Sequence, residues 1–233
     1  MKLSEVKALV TGATSGIGYE IASALKAEGA SVIISGRNQE KLDKACQALD
    51  VLGLKADVRN EEEVEAMIQF AIQTWGSFNV LINNAGFGKF ASLVETSVED
   101  FQYQWEVNTK GLFMAGKAAA QHFIENKNGN IINIGSTVAK KGMASGSGYV
   151  ASKFAVSGLT ECWRAELRPH NIRVMQVNPS EVVTDFFEKA GFEQKDTEKK
   201  LKTSEIAHLV VAMLSMNSIG FIPEASVWAT NPW

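Results

Sequence analysis

The stretch Val10-Thr11-Gly12-Ala13-Thr14-Ser15-Gly16-Ile17-Gly18 decides the fold. It follows an apolar run that predicts a strand over residues 6–11, and it opens a segment with helical periodicity. Its glycines permit a tight turn, a close backbone approach to a ligand and close packing of helix on strand. Free N–H groups at such a helix start favour a pyrophosphate. The spacing is Gly-x3-Gly-x-Gly rather than Gly-x-Gly-x2-Gly, but its place between a first strand and a first helix predicts a dinucleotide site.

Short apolar runs alternate with helical patterns along the rest of the chain. Further strands are predicted at residues 31–35, 53–56, 79–82, 130–134 and 172–177, with a weaker one at 226–229. Long helices are predicted over 98–125 and 148–167, and another begins after Asn60. Strands that are apolar throughout indicate a parallel sheet buried on both faces. The pattern predicts an α/β fold with a doubly wound sheet in one domain over residues 1–233.

Composition and charge exclude several classes of protein. The 233 residues are 45% apolar and 21% charged, which is ordinary for a globular chain. A formal charge of −3 and a pI of about 5.7 predict no nucleic-acid partner. No apolar run is long enough to predict a membrane span. Two cysteines and three scattered histidines predict no metal site and a reducing, cytoplasmic setting.

The end of the second predicted strand bears on the choice of cofactor. It reads Ile34-Ser35-Gly36-Arg37-Asn38, without the carboxylate that would bind the ribose 2′-hydroxyl of NAD. An arginine there suits the 2′-phosphate of NADP. We therefore predict NADP (NADPH), with NAD less favoured; an exposed arginine at a helix start is the alternative interpretation of Arg37.

Two further strand ends are candidates for cofactor contacts. Asp57, followed by Val58, either caps a strand end or accepts a hydrogen bond from the adenine amino group. Asn83-Asn84-Ala85-Gly86 follows the fourth strand. We interpret Asn84 as mostly structural, and Gly86 as a point where the backbone can pass close to the adenosine ribose.

Tyr149 and Lys153 are the candidates for acid/base chemistry. Four residues apart, they share one helix face. A nearby cation favours the phenolate, so the pair moves the tyrosine towards acid/base work at neutral pH. Surface packing is the alternative for such a pair by itself. Ser136 ends a predicted strand at the sheet edge where ligands bind in open α/β folds.

Together these residues resemble the short-chain dehydrogenase/reductase family over nearly the whole chain. The matching segments are Thr-Gly-x3-Gly-x-Gly at 11–18, Asp57, Asn83-Asn84-Ala85-Gly86, Asn108 in Val107-Asn108-Thr109, Ser136, and Tyr149-x3-Lys153. Each is weak or moderate evidence alone, but their order and spacing argue against chance. The resemblance implies a Rossmann-type parallel sheet of about seven strands flanked by helices on both faces.

The resemblance also implies a catalytic tetrad of Asn108, Ser136, Tyr149 and Lys153. Tyr149 would protonate the developing alkoxide in carbonyl reduction, or accept the proton in alcohol oxidation. Lys153 would bind the nicotinamide ribose hydroxyls and lower the pKa of Tyr149. Ser136 would hydrogen-bond the substrate oxygen. Asn108 would hold a water, through its backbone carbonyl at a helix irregularity.

The segment Asn178-Pro179-Ser180-Glu181-Val182-Val183-Thr184 would face the nicotinamide. By resemblance, Pro179, Val182 and Thr184 contact the cofactor, and Thr184 binds the carboxamide. The family usually has glycine directly after this proline. Ser180 therefore predicts either a narrower nicotinamide face or a different φ.

The following residues, 185–202, would form the substrate loop. Phe186, Phe187 and Phe192 suggest an apolar lining, or they anchor a mobile lid. The loop favours a modest carbonyl or alcohol substrate over a sugar. A 3-oxoacyl-(acyl-carrier-protein) reductase is the less favoured activity, because the tail lacks that group's terminal Asp-Gly-Gly. A non-catalytic NADP-binding sensor is the other alternative.

The two long predicted helices bear on assembly. They carry more apolar and small residues than one sheet face requires, and in the family they pair between subunits. We therefore predict a homodimer or homotetramer. The candidates for the second apolar face are Trp105, Phe113, Ala118, Ala119, Phe154, Leu159 and Trp163.

Overall fold

The computed structural model describes residues 1–191, 194 and 196–232. Its seven strands form one sheet in the order β3-β2-β1-β4-β5-β6-β7, and every pairing is parallel. The strands are β1 Lys7–Val10, β2 Ser31–Gly36, β3 Leu52–Lys55, β4 Val80–Asn83, β5 Gly129–Ile134, β6 Ile172–Pro179 and β7 Glu224–Val227. The predicted doubly wound parallel sheet is confirmed.

Helices cover both faces of this sheet. They are α1 Gly16–Ala27, α2 Gln39–Leu49, α3 Glu61–Trp75, α4 Val98–Trp105, α5 Gly111–Asn126, α6 Ser147–Leu167, α7 Asp185–Lys189 and α8 Thr203–Ser215. One buried apolar cluster joins the sheet to α1 and α8. A second joins its other face to α3, α5 and α6. Within the described residues, no helix combines the length and the apolar character that crossing a membrane requires.

Three predicted elements differ from the structure in instructive ways. The helix predicted over 98–125 is two helices, because a π-helical turn at Glu106–Lys110 separates α4 from α5. β7 begins two residues before the predicted strand. β3 is only partly buried, with Leu52 51% exposed, because it forms one edge of the sheet. Strand position, as well as apolar content, therefore sets burial.

The chain order reverses between β1 and β4, which pair side by side at the centre of the sheet. Hydrogen bonds join the segments that follow these strands. The Thr11 hydroxyl accepts from the backbone N–H groups of Asn84 and Ala85, both at 3.1 Å. The Asn84 amide donates to the carbonyls of Thr11 and Gly12, both at 3.0 Å. Asn84 thus ties two strand ends together at the point where α/β sheets bind ligands.

Gly12→Ala is expected to lower the free energy of unfolding by about 2–4 kcal/mol. Gly12 has φ +63°, and an added Cβ would lie 2.7 Å from the Ala85 Cα. The variant therefore combines left-handed backbone strain with overpacking. Gly76→Ala is the matched control, because Gly76 has φ +71° with open space around it, and it should cost only about 1–2 kcal/mol. Urea unfolding measures both, and equal losses would contradict the close approach at Ala85.

Candidate active site

The glycine-rich turn presents uncapped backbone donors at the start of α1. Ser15 occupies the N-cap position, but its side chain makes no capping hydrogen bond. Gly16 has φ +62°, and an added Cβ would approach only the Thr184 side chain, at 3.5 Å. The turn therefore combines free N–H groups, a positive dipole end and an unobstructed approach, which suit a pyrophosphate. It also places Thr184, from the loop after β6, beside the turn.

Asp57 is held by an arginine that the sequence analysis did not single out. Arg59 donates from Nε to both Asp57 carboxylate oxygens at 3.1 Å, and from Nη2 to Oδ2 at 2.6 Å. These hydrogen bonds, and to a smaller extent the charge of Arg37, hold the pKa of Asp57 below its usual value. Asp57 is thus a fixed carboxylate at the end of β3, and Val58 packs in the core beside it.

Ser136, Tyr149 and Lys153 meet at the carboxyl end of β5. The Ser136 side chain lies close enough to Tyr149 to lower the pKa of its phenol. The Lys153 ammonium donates to the Ile134 carbonyl at 2.8 Å and lies 5.8 Å from the centre of the Tyr149 ring. Lys153 is only 5% exposed, whereas Tyr149 is half-buried. Two hydroxyl groups and a cation are therefore close together at the ligand-binding edge of the sheet.

Gly86 and Asn108 lie next to this group. A Cβ added at Gly86 would lie 3.9 Å from Lys153 Nζ and 3.6 Å from Asn108 Oδ1. The Asn108 amide donates to the Phe87 carbonyl at 2.8 Å and to the Ser152 hydroxyl at 2.9 Å, and it accepts from the Phe87 N–H at 2.8 Å. The Asn108 side chain is thus engaged with the protein, while its backbone lies in the π-helical turn.

Burial dominates the ionisation of the tyrosine and the lysine. It raises the pKa of Tyr149 to about 12, and the hydrogen bond with Ser136 offsets only part of this increase. It lowers the pKa of Lys153 to about 8. The resemblance implied that Lys153 lowers the pKa of Tyr149; the structure differs, because desolvation outweighs an ammonium placed beside the ring and bonded to Ile134. At neutral pH Tyr149 is a neutral phenol, which suits proton donation.

Sequence reasoning missed the polar chain behind Ser136. The Ser136 N–H donates to Asn178 Oδ1 at 3.2 Å, and the Asn178 amide donates to Glu224 Oε1 at 2.6 Å. Lys140 completes the chain with an ion pair to Glu224 at 2.6 Å. A Cβ at Gly135 would lie 2.2 Å from Asn178 Oδ1, which explains the glycine before Ser136. The available signal was Asn178 itself, a polar residue near the end of a strand that is almost entirely buried.

Two aromatic rings pack against the ring of Tyr149. The centre of its ring lies 5.4 Å from that of Phe90 and 5.5 Å from that of Phe186. Phe186 also contacts Phe187 edge-on, with ring centres 5.5 Å apart. Phe186 packs so closely on Gly88 that a Cβ there would lie 2.5 Å from it. Phe192, the third predicted lining residue, lies outside the described residues.

Several contacts fix the ends of the loop at 185–202. Thr184 caps α7 by accepting from the Phe186 N–H at 3.3 Å. Val182 is buried and forms a parallel bridge with Leu201, and Lys200 pairs with Glu181 at 2.7 Å. The two ends of this loop are therefore held side by side, next to the end of β6.

Ser180, at the position where the family usually has glycine, has an ordinary backbone conformation. It does not have a positive φ, and its N–H donates to the Val227 carbonyl at 2.9 Å, which continues the pairing of β6 with β7. Pro179 precedes it as the last residue of β6. The chain thus accommodates a Cβ at this position without left-handed backbone.

The described residues contain no group of three histidine, cysteine or carboxylate side chains that could hold a metal ion.

One edge of the sheet brings together the residues of the candidate site. They are the glycine-rich turn, Asn84, Gly86 and Thr184 with Ser136, Tyr149 and Lys153. The three clusters, at the turn, at Asp57 and at Tyr149, follow different strands of one parallel sheet. The arrangement suits an extended ligand with phosphate at one end and chemistry at the other.

A model of the short chain dehydrogenase family matches residues 6–195. An uncharacterized oxidoreductase of Staphylococcus aureus (strain USA300) is 35% identical over 216 residues, which are 91% of this chain and 92% of that protein. The 3-oxoacyl-(acyl-carrier-protein) reductase of Thermotoga maritima is 32% identical over 230 residues, which are 94% of each chain.

Solved structures agree with these relatives. An alcohol dehydrogenase from the archaeon Thermococcus sibiricus, complexed with 5-hydroxy-NADP, matches with a TM-score of 0.88 and 30% identity over 96% of each chain. The chain belongs to the short-chain dehydrogenase family of oxidoreductases.

Proposed function

We propose that the protein is an NADP(H)-dependent oxidoreductase that interconverts a carbonyl group and a secondary alcohol, with Tyr149 as the general acid and base. The observation that carries this proposal is the placement of the buried Lys153 ammonium beside the Tyr149 ring, with the Ser136 side chain close enough to act on the same phenol. A neutral phenol next to a second hydroxyl donor suits a carbonyl oxygen that gains negative charge during reduction.

Each residue of the site has its own role in the proposed reaction. The bound cofactor supplies or accepts the hydride. Ser136 hydrogen-bonds the substrate oxygen, and Tyr149 gives that oxygen its proton in reduction or removes a proton in oxidation. Lys153 binds the nicotinamide ribose hydroxyls, and its charge offsets the phenolate left on Tyr149. The Asn108 backbone carbonyl holds a water that connects Lys153 to solvent.

The cofactor is held along the carboxyl edge of the sheet. Residues 11–18 take the pyrophosphate, Asp57 and Val58 the adenine, and Asn84, Ala85 and Gly86 the adenosine ribose. Pro179, Val182 and Thr184 face the nicotinamide. Arg37 pairs with the 2′-phosphate, which makes NADP the preferred cofactor. The Thermococcus sibiricus alcohol dehydrogenase, complexed with an NADP derivative, supports this choice.

The substrate is a modest carbonyl or alcohol compound that fits beside Phe90 and Phe186 under the loop at 185–202. The test is NADPH consumption with a panel of ketones, aldehydes and 3-oxoacyl thioesters, repeated with NADH. Turnover of simple carbonyl compounds, faster with NADPH, is expected. Turnover confined to acyl-carrier-protein thioesters would favour the reductase activity of the Thermotoga maritima relative. Binding of NADPH without turnover of any compound would favour a sensor and overturn the proposal.

Assembly and location extend the proposal. Both cysteines are free thiols, which agrees with a reducing, cytoplasmic setting. Trp105, Phe113 and Phe154 expose 42%, 43% and 45% of their surfaces on α4, α5 and α6. Ala119 and Trp163, predicted for the same outer face, lie in the core instead. The exposed rings support pairing of two copies through these helices.

Light scattering at micromolar concentration is therefore expected to give the mass of two or four chains. Trp105→Glu should shift the mass towards one chain, because a carboxylate would be buried in the interface. Lys41→Glu is a control at an exposed lysine of α2, a helix that packs in the other apolar cluster, away from these rings. A monomeric wild-type protein would contradict the assembly.

A further inference from the structure

Two arginines that follow neighbouring strands both contact the side chain of Tyr103. Arg37 follows β2, Arg59 follows β3, and Tyr103 lies in α4. The Arg37 Nη1 group donates a hydrogen bond to the Tyr103 hydroxyl. The Arg59 guanidinium lies over the Tyr103 ring, 4.6 Å from its centre. Tyr103 thus binds one guanidinium through its hydroxyl and the other through its ring face.

The partners of Tyr103 are themselves held in place. Arg59 is bidentate on Asp57, and the Tyr103 ring contacts Phe87 edge-on at 4.9 Å. Phe87 is bonded to Asn108 through both its N–H and its carbonyl, each at 2.8 Å. Tyr103 is therefore a fixed group in the segment that follows β4, next to the proposed adenosine site.

Arg37 differs from these residues because its side chain is exposed. An exposed arginine samples many rotamers, and binding a phosphate requires that one of them be selected. The Tyr103 hydroxyl accepts from only one of the five N–H donors of the Arg37 guanidinium, so the other donors stay available to a phosphate. Arg59 is paired with the Asp57 carboxylate, whereas Arg37 pairs with no carboxylate among the ion pairs of the described residues, so Arg37 is the guanidinium that can take a phosphate.

We propose that Tyr103 is a positioning residue that sets cofactor specificity by holding Arg37 in place for the 2′-phosphate of NADP. The inference rests on the proposed NADP preference and adds to it a residue outside the family motifs identified in the sequence. Tyr103 does not touch the reacting atoms; it acts through Arg37.

Tyr103→Phe is expected to raise the Kd of NADPH about fivefold, as loss of one hydrogen bond does, and to change the Kd of NADH less than twofold. The phenyl ring keeps the contacts with Arg59 and Phe87. Arg37→Ala should raise the Kd of NADPH by about 10- to 100-fold, because a charge-assisted contact is lost. Fluorescence titration at one ionic strength measures all of these constants.

The double variant separates positioning from a general structural role. In Arg37→Ala, adding Tyr103→Phe should leave the ratio of NADPH to NADH affinity unchanged, because no guanidinium remains to be held. A structural defect would instead weaken both cofactors in either background. Tyr19→Phe is the matched control, since it removes a tyrosine hydroxyl from α1, away from the arginine pair.

The outcomes are distinguishable. Wild-type protein that binds NADPH no more tightly than NADH would overturn the proposed cofactor preference, and this inference with it. Wild-type preference for NADPH that Arg37→Ala abolishes and Tyr103→Phe leaves intact would overturn this inference alone. Tighter NADPH binding in Tyr103→Phe would also overturn it, because the hydroxyl would then be competing with the phosphate for Arg37.

Discussion

Tyr149→Phe is expected to lower kcat for carbonyl reduction by about 10²–10⁴-fold, which is the usual contribution of general acid catalysis. The ring should keep its contacts with Phe90 and Phe186, both about 5.5 Å away between ring centres. Only the hydroxyl, whose pKa the nearby Ser136 side chain lowers, is lost. Fold and NADPH affinity should therefore survive while turnover collapses.

The decisive measurement is kcat beside the Kd of NADPH for wild type and variant. Ser136→Ala is the companion variant: it keeps the Tyr149 proton donor but removes the second donor to the substrate oxygen, so a smaller loss is expected. Near wild-type turnover in Tyr149→Phe would mean that another group is the acid. Loss of turnover caused only by loss of NADPH binding would make Tyr149 a binding residue.

Most of the sheet is predictable because its central strands are buried on both faces. β4 and β5 consist entirely of buried residues, and their short length between helical patterns favours strands of a parallel sheet. The edges are harder. β7 has a partly buried pattern, and its position depends on pairing with β6. Such pairing is a tertiary effect that a local apolar pattern does not encode.

The break between α4 and α5 shows a different limit. Residues 98–125 have continuous helical periodicity, and a π-helical turn changes the register without interrupting the apolar pattern. The polar residue Asn108 inside the helix was the only local sign, and its meaning came from the family resemblance. Its side-chain partners, Phe87 and Ser152, lie on other elements.

The candidate site was predictable where short motifs fix the geometry. The glycine-rich turn, Ser136 and the Tyr149–Lys153 pair are of this kind. Contacts between distant elements were not, including Arg59 with Tyr103 and Glu224 with Asn178. The ionisation of Tyr149 was also out of reach, because four-residue spacing gives proximity but not burial. Desolvation raises the pKa of Tyr149 and lowers that of Lys153.

The pH dependence of reduction is expected to follow Lys153. With a pKa of about 8, its side chain is an ammonium ion on the acid side of pH 8 and a neutral amine on the alkaline side. The proposed role requires the ammonium, so kcat/KM for reduction should be level at acid pH and fall as pH rises through 8.

Lys153→Met should lower kcat/KM by about 10²-fold, as expected for loss of a charge-assisted contact, and should abolish this fall. Any residual oxidation that depends on Tyr149 should move to higher pH, since its phenolate has lost its cation. A wild-type profile that is level across pH 8 would contradict the assignment.

The same substitution is expected to change stability in the opposite direction. Lys153 titrates near 8 when folded, against an ordinary value of 10.5. Its buried charge therefore opposes folding below pH 8, and this penalty is relieved between pH 8 and 10.5, where the unfolded chain binds more protons. The difference between the two pKa values corresponds to about 3 kcal/mol of unfolding free energy, of which the lost hydrogen bond to Ile134 offsets a part.

The free energy of unfolding of Lys153→Met should thus exceed that of wild type most near pH 7, and this advantage should disappear as pH approaches 10.5. Urea unfolding of both proteins across this range measures the difference. A difference that does not change with pH would mean that Lys153 is not desolvated and that burying its charge beside Tyr149 does not lower the free energy of unfolding.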